Sequence, residues 1–199
     1  SLALSGPLGA PVWIENDANA VAMAEYYAAP ASSDSGMLVL YMGYGVGGGC
    51  IANGRLFTGD FFNAGEIGVL YPLGKPRPSA IDLIETLAAQ GLVATLADLE
   101  AGPEKYGPEV EAWTHRAADQ LKTAVLSGIA WFDPARIVIA GALPRPVLDS
   151  VSDHLAREDW GERLGPRPMP VFSASRLGGS AAAIGAAMLP IHATISPAG

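Results

Sequence analysis

The sequence contains a single cysteine, Cys50, in 199 residues, which excludes an internal disulfide and fits a reducing, cytoplasmic setting. Histidine is almost as scarce. His115, His154 and His192 lie far apart without metal-ligand spacing, so they give no metal site. Basic residues number 12 against 20 acidic ones, a formal charge of −8. That balance excludes a direct grip on a nucleic-acid backbone, which needs a clustered basic surface. Charged residues make up only 16% while half of the chain is hydrophobic. Such a composition buries a substantial core in one domain, or in one lobe with a small appendage. The opening residues lack the charged segment and apolar core of a signal peptide. The most apolar stretch, 177–195, is interrupted by Pro190 and His192 and reads as a buried, close-packed helix rather than a membrane span.

Glycine is abundant where it matters most. The apolar run Met37–Met42 feeds Gly43-Tyr44-Gly45-Val46-Gly47-Gly48-Gly49, five glycines in seven residues, and continues through Cys50-Ile51-Ala52-Asn53-Gly54. This reads as a strand hairpin. Its glycines permit positive φ and convergent N–H groups that cradle an anion, or else a tight turn that binds nothing. Two polar clusters among small residues flank it: Glu15-Asn16-Asp17-Ala18-Asn19, and Asn63-Ala64-Gly65-Glu66-Ile67-Gly68. Core packing alone does not call for three such stretches. Pro11–Ile14 followed by Asn16, Asp17 and small apolar residues at helical spacing reads as strand, turn and helix. Either Asn16 or Asp17 suffices as a helix cap, an effect of ~1 kcal/mol.

Residues 30–36 form a polar loop. From Ser79 an amphipathic helix runs through Ala80, Ile81, Leu83, Ile84, Leu87 and Ala88, with Asp82 and Glu85 on its polar side and Ser79 as the cap. Glu100 to Glu111, carrying Gly102-Pro103 and Gly107-Pro108, reads as a loop. A long helix then buries Val110, Trp113, Ala117, Leu121, Val125, Gly128, Ile129 and Phe132, and Asp133-Pro134 stops it. Ile137–Ala140 is a buried strand ending at Gly141. A helix through Val147, Leu148, Val151 and Leu155 leads to a strand at Pro170–Phe172, and Leu177–Ser180 introduces a last, Ala- and Gly-rich helix. Only the last few residues are expected to be disordered. The alternation of strands and helices gives an α/β fold.

The order Asn16-Asp17-Ala18-Asn19, then the glycine hairpin, then Asn53-Gly54 with Leu56 and Gly59, then Ala64-Gly65-Glu66-Ile67-Gly68 resembles the ROK family of bacterial repressors and sugar kinases. The match runs from about Pro11 to about Leu189. The resemblance implies a ribonuclease-H-like, actin-type ATPase lobe with a mixed sheet and flanking helices. The family's N-terminal lobe, with its Asp-x-Gly-Gly-Thr phosphate turn, is missing and the chain begins at Ser1. It is therefore expected to be the C-terminal part, 1–199, of a longer protein, with residues 1–30 and 177–189 packing toward the missing lobe.

For the site, the resemblance implies Asp17 as general base and Asn16, Asp17 and Glu66 as sugar ligands. Aligning Ile84–Ala88 with the family adds Glu85. Phosphate and nucleotide positions fall at Gly43, Gly45, Gly47 and Gly141. The family's usual threonine between the first two glycines is Tyr44 here, whose bulk opposes a phosphate role, and its later glycine pair is Gly141-Ala142. The family's zinc ligands are a histidine, here Val69, and three cysteines in a loop that reads Tyr71–Ser79 and has none. No zinc is expected, and three prolines are expected to stiffen that loop. These departures imply the sugar-sensing domain of a transcriptional regulator that binds a hexose or amino-sugar derivative and contacts DNA only through an upstream domain. The alternative is a sugar kinase using ATP and Mg with Asp17 as base. The isolated chain is expected to be inactive, away from membranes, without a cofactor of its own, and part of a homo-oligomer.

Overall fold

A computed structural model describes residues 2–29, 36–92 and 95–195. The polar loop assigned to 30–36 lies outside these residues apart from Gly36, and so do the last four residues. Helices α1 (Leu2–Leu8) and α2 (Asp17–Ala28) precede strands β1 (Met37–Met42), β2 (Val46–Ala52) and β3 (Arg55–Leu56). Helices α3 (Ala80–Ala89), α4 (Leu96–Ala101) and α5 (Gly107–Phe132) follow, then β4 (Arg136–Gly141), α6 (Arg145–Arg157), α7 (Gly161–Leu164), β5 (Val171–Ala174) and α8 (Ala181–Ile195). The strands form one sheet in the order β3-β2-β1-β4-β5. Strand β2 is antiparallel to both β1 and β3, while β4 is parallel to both β1 and β5, so the sheet is mixed.

Alternation along the central strands sends side chains to two cores. Leu38, Leu40, Ile137 and Ile139 pack with Trp113, Leu121 and Val125 of α5 and Leu148 of α6. On the opposite face Met37, Val39, Val138 and Ala140 meet Val21, Ala22 and Met23 of α2 and Ala181 of α8. Each buried large aliphatic side chain contributes about 1.5–3 kcal/mol. The first core is held mainly by α5, whose expected face is buried from Val110 to Ile129; Phe132, at its open end, is 40% exposed. Asp133 adopts φ 42, ψ 55 and ends the helix as its sequence suggested.

Several expectations are corrected. Pro11–Ile14 is not a strand: it lies outside the five-stranded sheet, and Trp13 and Ile14 are 46% and 64% exposed. The stretch 100–111 is largely helical, because α4 runs to Ala101 and α5 begins at Gly107. Pro108 sits in the first turn of α5, where its missing N–H has no partner to lose. The last helix is only partly buried. Its small-residue side lies on α2, where the Gly185 backbone passes so close to the Ala20 carbonyl that a Cβ would overlap it. Ile184 and Ile191 on its other side are 39% and 45% exposed. Pro190 lies within this helix. Among the described residues no helix is long and apolar enough to cross a membrane.

Candidate functional site: the hollow between a helix N-terminus and the glycine hairpin

The site begins at the start of α2. Asn16, with φ −73 and ψ 162, is the N-cap, and its Oδ1 accepts from the Asn19 N–H at 2.7 Å. Glu15 Oε1 accepts from the Asn16 N–H at 3.0 Å and from Asn19 Nδ2 at 2.9 Å, bracing the entry to the helix. The capping bond uses the oxygen of Asn16 and leaves its Nδ2 without a partner among the described residues. Asp17, the first helical residue, is exposed, and its Oδ1 accepts from the Ala18 N–H at 2.9 Å. The carboxylate lies at the positive end of the helix dipole.

Helix α2 lies directly on β2, and the glycines explain how. None of the five glycines from 43 to 49 has positive φ. Their main service is close approach: a Cβ on Gly49 would stand 2.6 Å from Ala22 Cβ and 2.8 Å from the Ala18 oxygen. Gly47 faces Ala18 in the same way. The expectation of an anion cradle built on positive φ is therefore corrected, because these positions are small so that a helix can dock. Gly45 alone in the run borders space open on all sides.

The third wall is the 63–70 segment. The Gly48 N–H donates to the Gly65 oxygen at 2.8 Å, and Gly65 has φ +91 with its would-be Cβ overlapping the Gly48 oxygen. Only glycine satisfies both conditions. This clasp sets the adjoining Glu66, which is exposed, at the rim of a hollow of about 120 Å³ that Asn16, Asp17, Tyr41, Gly45, Gly47 and Glu66 line. Three of the four expected sugar ligands thus meet.

Glu85 does not join them. The start of α3 abuts the hairpin, with the Ala80 N–H donating to the Gly43 oxygen at 2.9 Å, whereas Glu85 lies further along the helix and is exposed. Gly43 and Gly141 do not line the hollow either. A Cβ on Gly141 would overlap the Met42 oxygen, so this glycine serves the contact of β4 with β1. Tyr44 is 83% exposed and is not among the residues that line the hollow. For a nucleotide phosphate the residues fit only in part: the turn around Gly45 is open, and Gly141 is committed to packing.

Tyr41 also lines the hollow, and sequence reasoning missed it. Alternation from Met37 and Val39 places it on the α2 face of β1, a signal present in the sequence but overshadowed by the glycines. Burial, and then the charge of Asp17, raise its phenol above the usual tyrosine range. A second cavity of about 130 Å³ lies on the other face of the sheet, among Leu38, Leu40, Cys50, Phe57, Ile67 and Trp131. Its lining is almost wholly apolar and unsuited to a polyhydroxylated ligand.

Residues 2–76, which include every side chain lining the hollow, match the family model described as ROK family. The chain belongs to the ROK family. A beta-glucoside kinase of Listeria monocytogenes is 34% identical over 155 residues, covering 70% of this chain and 53% of that protein. The uncharacterized protein y4fQ of Sinorhizobium fredii is 39% identical over 182 residues, covering 90% of this chain and 46% of that protein. The ROK hexokinase of Thermus thermophilus superposes with a TM-score of 0.69 at 27% identity, over 93% of this chain and 66% of that one. The five-stranded mixed sheet with flanking helices thus has the actin-like ATPase fold of its ROK-family structural neighbours. This ROK chain spans about half the length of the curated relatives it matches.

The residues of this ROK chain do not fit the family's zinc. Val69 has no donor atom and is 83% exposed, and the loop after it has no cysteine. Among the described residues no three His, Cys, Asp or Glu side chains are grouped to hold a metal. The loop is fastened by Asp82 instead. Its Oδ1 accepts from the Arg77 N–H at 3.1 Å, and its Oδ2 accepts from Trp113 Nε1 and from Arg116 Nη2, both at 2.7 Å. Arg77 Nη2 donates to the Tyr71 oxygen at 2.8 Å, and Gln120 Nε2 to the Pro76 oxygen at 2.7 Å. Asp82, assigned from periodicity to the polar side of its helix, is the hub that ties this loop and α3 to α5.

Proposed function

We propose that this chain is the sugar-binding part of a ROK-type transcriptional regulator, with a hexose or amino-sugar derivative held between the start of α2 and the Gly65–Glu66 clasp. The observation that carries the reading is the convergence of Asn16, Asp17 and Glu66 on one hollow. Two carboxylates accept from hydroxyls and a free amide donates, which matches the polarity of a sugar. The features this chain has altered, the zinc ligands and the second glycine of the later pair, lie outside the Asn16, Asp17 and Glu66 set that lines the hollow.

Kinase chemistry is the second reading, favoured by the outward position of Tyr44 and by the similarity to a beta-glucoside kinase. Asp17, exposed beside the open turn at Gly45, would take the proton of the attacking hydroxyl, a contribution of ~10²–10⁴ in rate. ADP release by the full-length protein with ATP, magnesium and a panel of hexoses separates the two. A regulator binds a sugar in parallel calorimetry and releases no ADP above background. Sugar-dependent ADP release that disappears in Asp17→Asn establishes the kinase instead.

A further inference from the structure

The hollow holds one polar group whose presence neither the helix cap nor the glycine packing explains. Tyr41, next to last in β1, is half-buried and reaches the hollow that Asp17 and Glu66 also line. The fold makes room for its ring. Its partner across β2 is Gly47 and across β4 is Ala140, and a Cβ on Gly43 would stand 2.5 Å from the ring edge and 3.2 Å from the hydroxyl oxygen. A partly buried phenol normally finds a hydrogen-bond partner. The Tyr41 hydroxyl has none among the described residues.

Resting on the sugar reading above, we propose that the Tyr41 hydroxyl contacts the ligand directly and determines specificity, donating to a sugar oxygen on the β1 side of the hollow. Against two carboxylates, the other side chains of the hollow offer one donor, the Asn16 Nδ2 group, so a second donor on the β1 side widens what a polyhydroxylated ligand can meet. Asp17 and Glu66, as carboxylates, only accept, and the Asn16 oxygen is used by its cap. A sugar oxygen whose own proton goes to a carboxylate still presents lone pairs, and Tyr41 supplies the matching hydrogen. A tyrosine is protonated at neutral pH, and burial, then the Asp17 charge, shift this phenol further in that direction, so the donor is present there.

The test is calorimetry of the full-length protein and its Tyr41→Phe and Asp17→Asn variants with glucose, mannose, N-acetylglucosamine and N-acetylmannosamine, then with monodeoxy derivatives of the sugar that binds. Tyr41→Phe removes one oxygen that has no protein partner, so the melting temperature stays unchanged. It binds the parent sugar about 10-fold more weakly, the loss expected for one hydrogen bond. A single monodeoxy derivative, lacking the oxygen that Tyr41 reaches, binds wild type and Tyr41→Phe equally. Equal affinity of Tyr41→Phe and wild type for the parent sugar, with binding lost in Asp17→Asn, overturns the assignment of Tyr41 and leaves the sugar reading standing. Failure of wild type to bind any of these sugars overturns the sugar reading, and this inference with it.

Discussion

Replacing Asp82 by alanine removes three hydrogen bonds at one stroke: those from the Arg77 N–H, from Trp113 Nε1 and from Arg116. The largest cost falls on Trp113, which is 1% exposed. Its indole N–H is left buried without a partner, a penalty of about 1–3 kcal/mol. The Arg116 side chain is 33% exposed, and water screens its pair with Asp82, so that contact adds about 0–1 kcal/mol. With the Arg77 N–H included, the variant is expected to lose about 3 kcal/mol, a large part of the 5–15 kcal/mol of an ordinary domain. Urea unfolding measures it: with a slope near 2 kcal/mol/M the midpoint falls by about 1.5 M while the slope stays constant. Trp113→Phe removes the orphaned donor in advance, so the double variant is less destabilised than the two single changes added together. A loss below about 0.5 kcal/mol in Asp82→Ala, the range of an ordinary surface change, refutes the hub.

Further outcomes follow from the same geometry. Gly65→Ala forces a side chain into φ +91 and against the Gly48 oxygen; it is expected to cost about 2–4 kcal/mol in urea unfolding and to abolish sugar binding. His154 on α6 lies with its ring 3.9 Å from that of His115 on α5, and burial, then His115 and Arg157, lower its pKa below the usual 6.5. The unfolded chain therefore binds this proton more readily, so stability is lost as pH falls through the window that opens at 6.5. Melting curves between pH 7.5 and 5 are expected to show this fall, and His154→Asn to flatten it. The Cys50 thiol, raised by burial to about 11, should resist iodoacetamide in the native protein and react once urea unfolds it; rapid native labelling, followed by mass, would contradict its burial.

Much of the fold was legible because it rests on local chemistry. Ser79 and Asn16 cap their helices as side-chain oxygens placed before apolar periodicity should, and the continuous apolar run 137–140 is the buried strand its composition requires. What escaped sequence reading depends on which surfaces meet. The glycines of the hairpin look the same on paper whether they cradle an anion or admit a helix, and only the position of Ala18 and Ala22 tells them apart. Glu85 and Asp82 lie on one polar side of α3, yet α5 covers Asp82 and leaves Glu85 in solvent. Helix α1 has no clear apolar period, and Pro11–Ile14 carries the residues of a strand without a neighbour in the sheet. The motif residues Asn16, Asp17 and Glu66, singled out by type and order, line one hollow. Tyr41 was missed because its role follows from the space that Gly43 and Gly47 leave.

The most direct test of the account is calorimetric titration of the full-length protein with its binding sugar, comparing wild type with Asp17→Asn, Glu66→Gln and Glu85→Gln. If the hollow is the sugar site, the first two variants lose binding by at least about 10-fold each, the cost of a charged hydrogen bond, and Glu85→Gln binds as wild type does. Binding that survives in Asp17→Asn and Glu66→Gln, or that fails in Glu85→Gln alone, would contradict the placement of the ligand between α2 and the glycine hairpin.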